Sequence, residues 1–224
     1  MPVVKRTLVT ILTILAAALL GPAAASAQLT EIGNPTVQGK PSCPANPCLA
    51  VSRTTGFQIQ GGKVKNPYLA PRRGAIVAFT VALGKPSAKQ IRFFDTNLGG
   101  PASARITVLR AYTRRGNNFR FVVRSQSEVF NLVPYLGQTA QFALSKSIAA
   151  YRNDLIALTV PTWAPVLALG LDNATTWRAS RPKPCADSEA FQQFAQQRVG
   201  AMAQYACEYK TARMTYSATL ISTP

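Results

Sequence analysis

The stretch that decides the fold is 142–169, FALSKSIAAYRNDLIALTVPTWAPVLAL. It contains two runs dense in β-branched and long apolar residues, 154–160 and 166–169, which have the composition of buried β-strands. A turn sequence at 151–154 (Tyr-Arg-Asn-Asp) leads into the first run, and a Pro-Thr-Trp-Ala-Pro corner at 161–165 separates the two. We therefore predict that this stretch forms the buried centre of an all-β domain.

Working outward, alternating apolar and polar residues predict half-buried antiparallel strands on both sides of this centre. The clearest pair is 104–112 with 119–125, joined by a turn at 113–118, and a long alternating run closes the chain at 209–222. Further strand signals lie at 49–52, 57–60 and 90–95, which are short, and at 75–83, which is long and apolar. About ten strands with polar turns and one short helical excursion predict a two-sheet antiparallel β-sandwich of jelly-roll-like type.

The N-terminus has the pattern of a secretory signal peptide covering 1–27. Lys5 and Arg6 precede an apolar run at 8–20, and Ala25-Ser26-Ala27 is a small-residue cleavage site. The apolar run is shorter than the roughly 20 residues that a membrane-spanning helix needs. We predict a secreted or cell-envelope-associated protein with no transmembrane anchor after cleavage, the alternative being a retained anchor.

The four cysteines predict two disulfides, because an even number in an exported chain is typical of a disulfide framework. Of three connectivities we favour Cys43–Cys48 and Cys185–Cys207. The chain has no histidine, so it cannot form a mixed Cys–His zinc site, and no cofactor is predicted. The predicted organisation is a loosely ordered Pro/Gly-rich arm at 28–48 and one β-sandwich domain at 49–224, with a helical insertion at 185–207.

The formal net charge of +17, from 25 Lys and Arg against 8 Asp and Glu, favours anionic partners. We expect an anionic polysaccharide or cell-wall polymer, with nucleic acid bound only non-specifically. Alternation predicts a basic face at Arg105, Arg120 and Arg124. Trp163 and Tyr135 lie near predicted loops, where exposed rings could stack on sugars; the alternative is that Trp163 closes one end of the core.

Catalytic patterns are scarce. Without histidine, Ser-His-Asp and Cys-His nucleophilic sites are impossible. A carbohydrate-active enzyme would need two carboxylates across a cleft, for which Asp154 and Asp172 are the candidates. The same two residues with Asn173 could form a calcium site, although ordinary turn chemistry explains Asp and Asn at these positions. We expect no catalytic residue and no metal site.

Three segments carry a resemblance to a known class of proteins: 142–163 (FALSKSIAAYRNDLIALTVPTW), 42–58 (SCPANPCLAVSRTTGFQ) and 212–221 (ARMTYSATLI). Together they resemble uncharacterised secreted bacterial proteins of jelly-roll-like plan. This resemblance implies the fold and the export route, and it brings no assigned activity. The expected function is therefore a secreted, non-enzymatic β-sandwich that associates with anionic polymers. The alternatives are a carbohydrate-active enzyme, a carbohydrate-binding module or a structural protein of the envelope.

Overall fold

The structure, a computed structural model, describes residues 27–33, 39–112, 119–183, 185 and 195–222. Antiparallel β-strands predominate in these residues, which confirms the predicted β class; they also include one α-helix, α1 (Ala88–Asn97), and a 3-10 helix at Val133–Tyr135. The strands are β1 (Leu29–Ile32), β2 (Val51–Gly61), β3 (Val64–Lys65), β4 (Gly74–Ala82), β5 (Ser103–Ala111), β6 (Arg120–Gln126), β7 (Phe130–Asn131), β8 (Thr139–Ala150), β9 (Leu155–Ala164), β10 (Leu167–Leu169), β11 (Thr176–Ala179), β12 (Met202–Gln204), β13 (Cys207–Lys210), β14 (Ala212–Met214) and β15 (Tyr216–Ser222).

These strands form three sheets. A four-stranded sheet has the order β1-β15-β4-β8, and a two-stranded sheet pairs β10 with β14. The largest sheet runs β12-β6-β5-β9-β2-β11-β13, with β3 paired to β2 and β7 to β5. One hydrophobic cluster contains buried side chains from both larger sheets. Within it the Tyr216 hydroxyl, on β15, donates to the Ile156 carbonyl on β9 at 3.0 Å and so connects the two sheets.

The turn at 151–154 carries the chain from one sheet to the other, because β8 and β9 belong to different sheets. The Asp154 amide donates to the Tyr151 carbonyl at 2.9 Å and closes the turn. Asn153 has a φ of 67°, in the left-handed region that asparagine tolerates better than most residues. A turn at 151–154 is thus followed directly by a strand, as the sequence predicted.

The predicted corner at 161–165 differs from the structure, because β9 continues through Pro161 to Ala164. Pro161 lies where the register of β9 against β2 shifts, between the pairs Val160–Thr54 and Trp163–Ser52. A bulge of this kind accommodates a residue without an amide hydrogen inside a sheet.

The predicted loose arm at 28–48 also needs correction. Its residues 29–32 form β1, paired in register with β15 from Leu29–Ile221 to Ile32–Ala218. The Glu31 carboxylate accepts hydrogen bonds from the hydroxyls of Ser217 and Thr219, and Ile32 is buried. This pairing holds residues 29–32 against the four-stranded sheet.

The structure has a helix where the sequence predicted a strand. Residues 90–95, predicted as a short strand, lie in α1, whose start is a capping box: the Gln90 amide donates to Ser87 Oγ at 3.3 Å, and the Ser87 amide donates to Gln90 Oε1 at 2.7 Å. In the predicted helical insertion, residues 195–200 are irregular or turn and Met202–Gln204 is a strand, while 184 and 186–194 lie outside the described residues.

Both predicted disulfides, Cys43–Cys48 and Cys185–Cys207, are confirmed. The signal peptide and the hairpin turn at 113–118 fall almost entirely outside the described residues. In the part of the chain that is described, no helix is long and apolar enough to cross a membrane.

Candidate functional site

Trp163 is not available as a binding ring, contrary to the first of the two interpretations of this residue. Its side chain is fully buried, its ring packs 4.9 Å from that of Phe94, and its Nε1 donates to Asp95 Oδ1 at 2.8 Å. Large aromatic residues contribute most when buried, and Trp163 joins β9 to α1 in this way. It is a core residue and has no face for a ligand.

Tyr135 keeps some surface, with 39% of its area exposed. It ends the 3-10 helix, and its ring meets the edge of Phe142 at 5.0 Å. No arginine contact with this ring is found among the described residues. Tyr135 is therefore a partly exposed aromatic residue at the end of the 3-10 helix.

The predicted basic face does not form as one surface. Arg105 is half-buried and donates from one terminal nitrogen to the carbonyl of Gln197 at 2.6 Å and to its Oε1 at 2.9 Å; burial lowers the pKa of this guanidinium. Arg120 and Arg124 remain exposed on β6. A register shift opposite Val108 and Leu109 breaks the alternation on which the prediction rested.

The carboxylates considered for catalysis each have their own structural partner. Asp154 is 2% exposed and binds Arg110, while Asp172 Oδ1 accepts from the Thr175 hydroxyl at 2.7 Å. Two carboxylates outside that pair of candidates also have partners: Asp95 accepts from Trp163, and Glu128 accepts from the Ser145 amide at 2.8 Å. The largest influence on the pKa of Glu128 is burial, which raises it, but the bond from Ser145 and other hydrogen bonds together lower it. Within the described ranges, no three His, Cys, Asp or Glu side chains are close enough to hold a metal ion.

The structure instead assembles a cationic surface that the sequence reasoning missed. The Tyr151 ring, 47% exposed, has the guanidinium carbon of Arg73 at 5.2 Å from its centroid and that of Arg110 at 5.1 Å. Both distances are within the range of a cation–π interaction. The exposed side chains of Arg72 and Arg152 are the sequence neighbours of this group. These five residues, Arg72, Arg73, Arg110, Tyr151 and Arg152, are called the arginine–tyrosine patch below.

Backbone hydrogen bonds hold the two loops of the patch together. The Ala70 amide donates to the Asp154 carbonyl at 2.8 Å, and the Asn153 amide donates to the Ala70 carbonyl at 2.9 Å. This reciprocal pair fixes the loop that carries Arg72 and Arg73 against the turn that carries Tyr151 and Arg152. The patch thus lies where the chain passes from β8 to β9.

The charge of the patch is mostly uncompensated. Its nearest carboxylate, Asp154, binds Arg110 Nε at 2.7 Å and a terminal nitrogen at 2.8 Å, and also accepts from the Tyr151 amide at 2.9 Å. The hydrogen bonds from its guanidinium to Asp154 raise the pKa of Arg110. Among the described residues no carboxylate pairs with Arg72, Arg73 or Arg152. Arg73 at the tyrosine ring and its exposed sequence neighbours Arg72 and Arg152 therefore present positive charge to solvent.

Guanidinium groups form paired hydrogen bonds with carboxylate, phosphate and sulfate groups, so the patch has the chemistry of an anion-binding surface. The sequence did contain a signal, since Arg72-Arg73 and Tyr151-Arg152 both stand in turn-rich segments. What it lacked was any indication that these two turns meet. No protein-family model, curated protein or solved structure matches the chain.

Proposed function

We propose that this is a secreted, non-enzymatic protein that binds anionic polysaccharide or another anionic cell-wall polymer through the arginine–tyrosine patch. The observation that carries the proposal is the Tyr151 ring, which holds the guanidinium groups of Arg73 and Arg110 and has the exposed Arg72 and Arg152 as sequence neighbours of this group. Among the described residues, no carboxylate pairs with Arg72, Arg73 or Arg152. A polymer with repeated carboxylate, phosphate or sulfate groups could contact several of these arginines at once.

The secreted location is supported by the two disulfides, because disulfides persist mainly in oxidising, extracellular compartments. The signal-peptide pattern at 1–27 supports the same location. We also infer that the two larger sheets are the layers of a jelly-roll-like sandwich. The shared hydrophobic cluster and the Tyr216–Ile156 hydrogen bond support this inference.

The test is retention of the purified protein on three immobilised supports, polygalacturonate, isolated cell wall and DNA, across a salt gradient. Attraction by net charge alone is screened by moderate salt, whereas close guanidinium–carboxylate pairs are screened less. We expect polygalacturonate or cell wall to retain the protein at salt concentrations that release it from DNA. Release from all three supports at the same moderate salt would mean that charge alone acts, and would overturn the proposal.

A further inference from the structure

A groove of about 610 Å³ lies between α1 and the strands β2, β10, β11, β13 and β14. Much of its lining is apolar: Phe93, Phe94, Leu98, Leu167 and Leu169. Phe93 is 52% exposed although it belongs to this lining, so the helix presents a large apolar ring to solvent. Cavities of roughly 300–1,000 Å³ with mainly apolar walls are typical of small-molecule sites.

Three polar groups of the lining contact one another. The rings of Trp177 and Tyr209 stack with centroids 4.6 Å apart, and a terminal nitrogen of Arg181 donates to the Tyr209 hydroxyl at 3.1 Å. The other terminal nitrogen of Arg181 donates to the Ser52 carbonyl at 3.3 Å. The stack and the hydrogen bonds gather these groups in one part of the groove.

Two of these groups have donors without an acceptor. Trp177 Nε1 and Arg181 Nε are inaccessible to solvent and form no hydrogen bond with any described residue. Trp177 as a whole is only 5% exposed. A buried donor left without an acceptor is destabilising, and most such donors in proteins are satisfied. Both nitrogens are covered in this structure, so the group that a ligand in the groove can reach is the terminal part of the Arg181 guanidinium, whose side chain is only partly buried.

The charge of the groove indicates which hydrogen-bond acceptor a ligand should carry. Its described lining contains two cationic side chains, Arg181 and Lys210, and no Asp or Glu. No described carboxylate lies within salt-bridge distance of Arg181. A carboxylate complements this arrangement, since it accepts hydrogen bonds at two oxygens and carries the opposite charge.

We propose that the groove binds a free long-chain carboxylate, such as a fatty acid. The hydrocarbon tail contacts Phe93, Leu98 and Leu167. The carboxylate accepts hydrogen bonds from the terminal nitrogens of Arg181, next to the stacked rings of Trp177 and Tyr209. This site is distinct from the arginine–tyrosine patch and does not depend on polymer binding there.

The test is titration of the purified protein with sodium dodecanoate below its micelle-forming concentration, followed by calorimetry and by tryptophan fluorescence. We expect saturable binding to one site and a change in emission that is absent from Trp177→Phe, in which Trp163 still emits. Dodecanol, which has the same tail without the charge, should bind at least about tenfold more weakly, because a charge-assisted hydrogen bond is lost. The proposal would be overturned if titration with dodecanoate gave no saturable heat, or if the protein bound dodecanol with the same affinity as dodecanoate.

Variants separate the two halves of the site. Arg181→Gln should weaken dodecanoate binding by about tenfold and remove the preference over dodecanol. Phe93→Ser should weaken the binding of dodecanoate and of dodecanol alike. The Phe93 ring is half-exposed, so this change leaves the packing of the core in place. Arg92→Gln is the matched control, since Arg92 is exposed on the same helix and does not line the groove. If Arg92→Gln reduced affinity as much as Arg181→Gln, net charge would explain the binding and the site would be rejected.

Discussion

The guanidinium carbon of Arg110 lies 5.1 Å from the centroid of the Tyr151 ring, while two nitrogens of the same guanidinium bind Asp154. Arg73 lies at 5.2 Å from the same ring. Ordering a free arginine side chain costs up to about 2 kcal/mol of rotamer entropy, so guanidinium groups already held by a ring lose less freedom when they bind an anion. The Tyr151 ring thus contributes to anion binding by ordering the side chains of Arg73 and Arg110.

Asp154 is the buried anchor of this arrangement. Asp154→Asn removes the charge that holds Arg110 and weakens the bond to the Tyr151 amide. We expect the free energy of unfolding to fall by about 2 kcal/mol, since a hydrogen-bonded charge is lost from a buried position. Urea unfolding measures this change. Asp172→Asn is the control, because Asp172 is exposed, and its midpoint should stay close to that of the unchanged protein.

Trp163 is expected to affect stability and not binding. Trp163→Phe deletes the hydrogen bond to Asp95 and leaves space beside Phe94, which should lower the free energy of unfolding by about 1–3 kcal/mol. The same variant should be retained on polygalacturonate like the unchanged protein. If the folded Trp163→Phe variant were no longer retained on polygalacturonate, Trp163 would have to be assigned to the binding surface.

Stability should fall in alkaline solution. Burial raises the pKa of Tyr68, Tyr205 and Tyr216, although contacts with Arg213 oppose this for Tyr68 and Tyr216. Above the ordinary tyrosine pKa of about 10, the unfolded chain ionises these hydroxyls while the folded chain keeps them protonated. The unfolded state then binds fewer protons, so the free energy of unfolding decreases as pH rises.

Denaturant unfolding at a series of pH values from 8 to 11 checks this dependence. Tyr68→Phe should be less stable at neutral pH, because it loses the hydroxyl bond to the Tyr216 carbonyl. It should also show a shallower fall above pH 10, because one buried hydroxyl is gone. A pH profile equal in slope to that of the unchanged protein would contradict the role assigned to Tyr68.

Local sequence patterns were sufficient for much of the β-structure. The residues around 151–154 combine turn chemistry with a following apolar run, and both the turn and β9 form there. α1 was missed because 90–95 was judged by its apolar residues alone. Ser87 and Gln90 stand three residues apart, as a capping box requires, and this signal could have located the helix.

The surfaces could not be predicted in the same way. Periodicity assigns residues to the two faces of one strand, and it fails where a bulge occurs, as beside Arg124 on β6. The arginine–tyrosine patch depends on two turns that are brought together by the Ala70 and Asn153 hydrogen bonds, and these are contacts between distant parts of the chain. Nothing in either turn alone indicates the other.

The most direct test of the central claim compares two triple variants with the same change in net charge. One is Arg72→Gln, Arg73→Gln and Arg152→Gln, within the patch; the other is Arg120→Gln, Arg124→Gln and Lys183→Gln, at exposed cations elsewhere. The measured quantity is the salt concentration that elutes each protein from polygalacturonate, with circular dichroism showing that both are folded. We predict that the patch triple elutes at clearly lower salt than the control triple, which stays close to the unchanged protein. Equal losses in the two triples would contradict a site at the patch and leave net charge as the cause of binding.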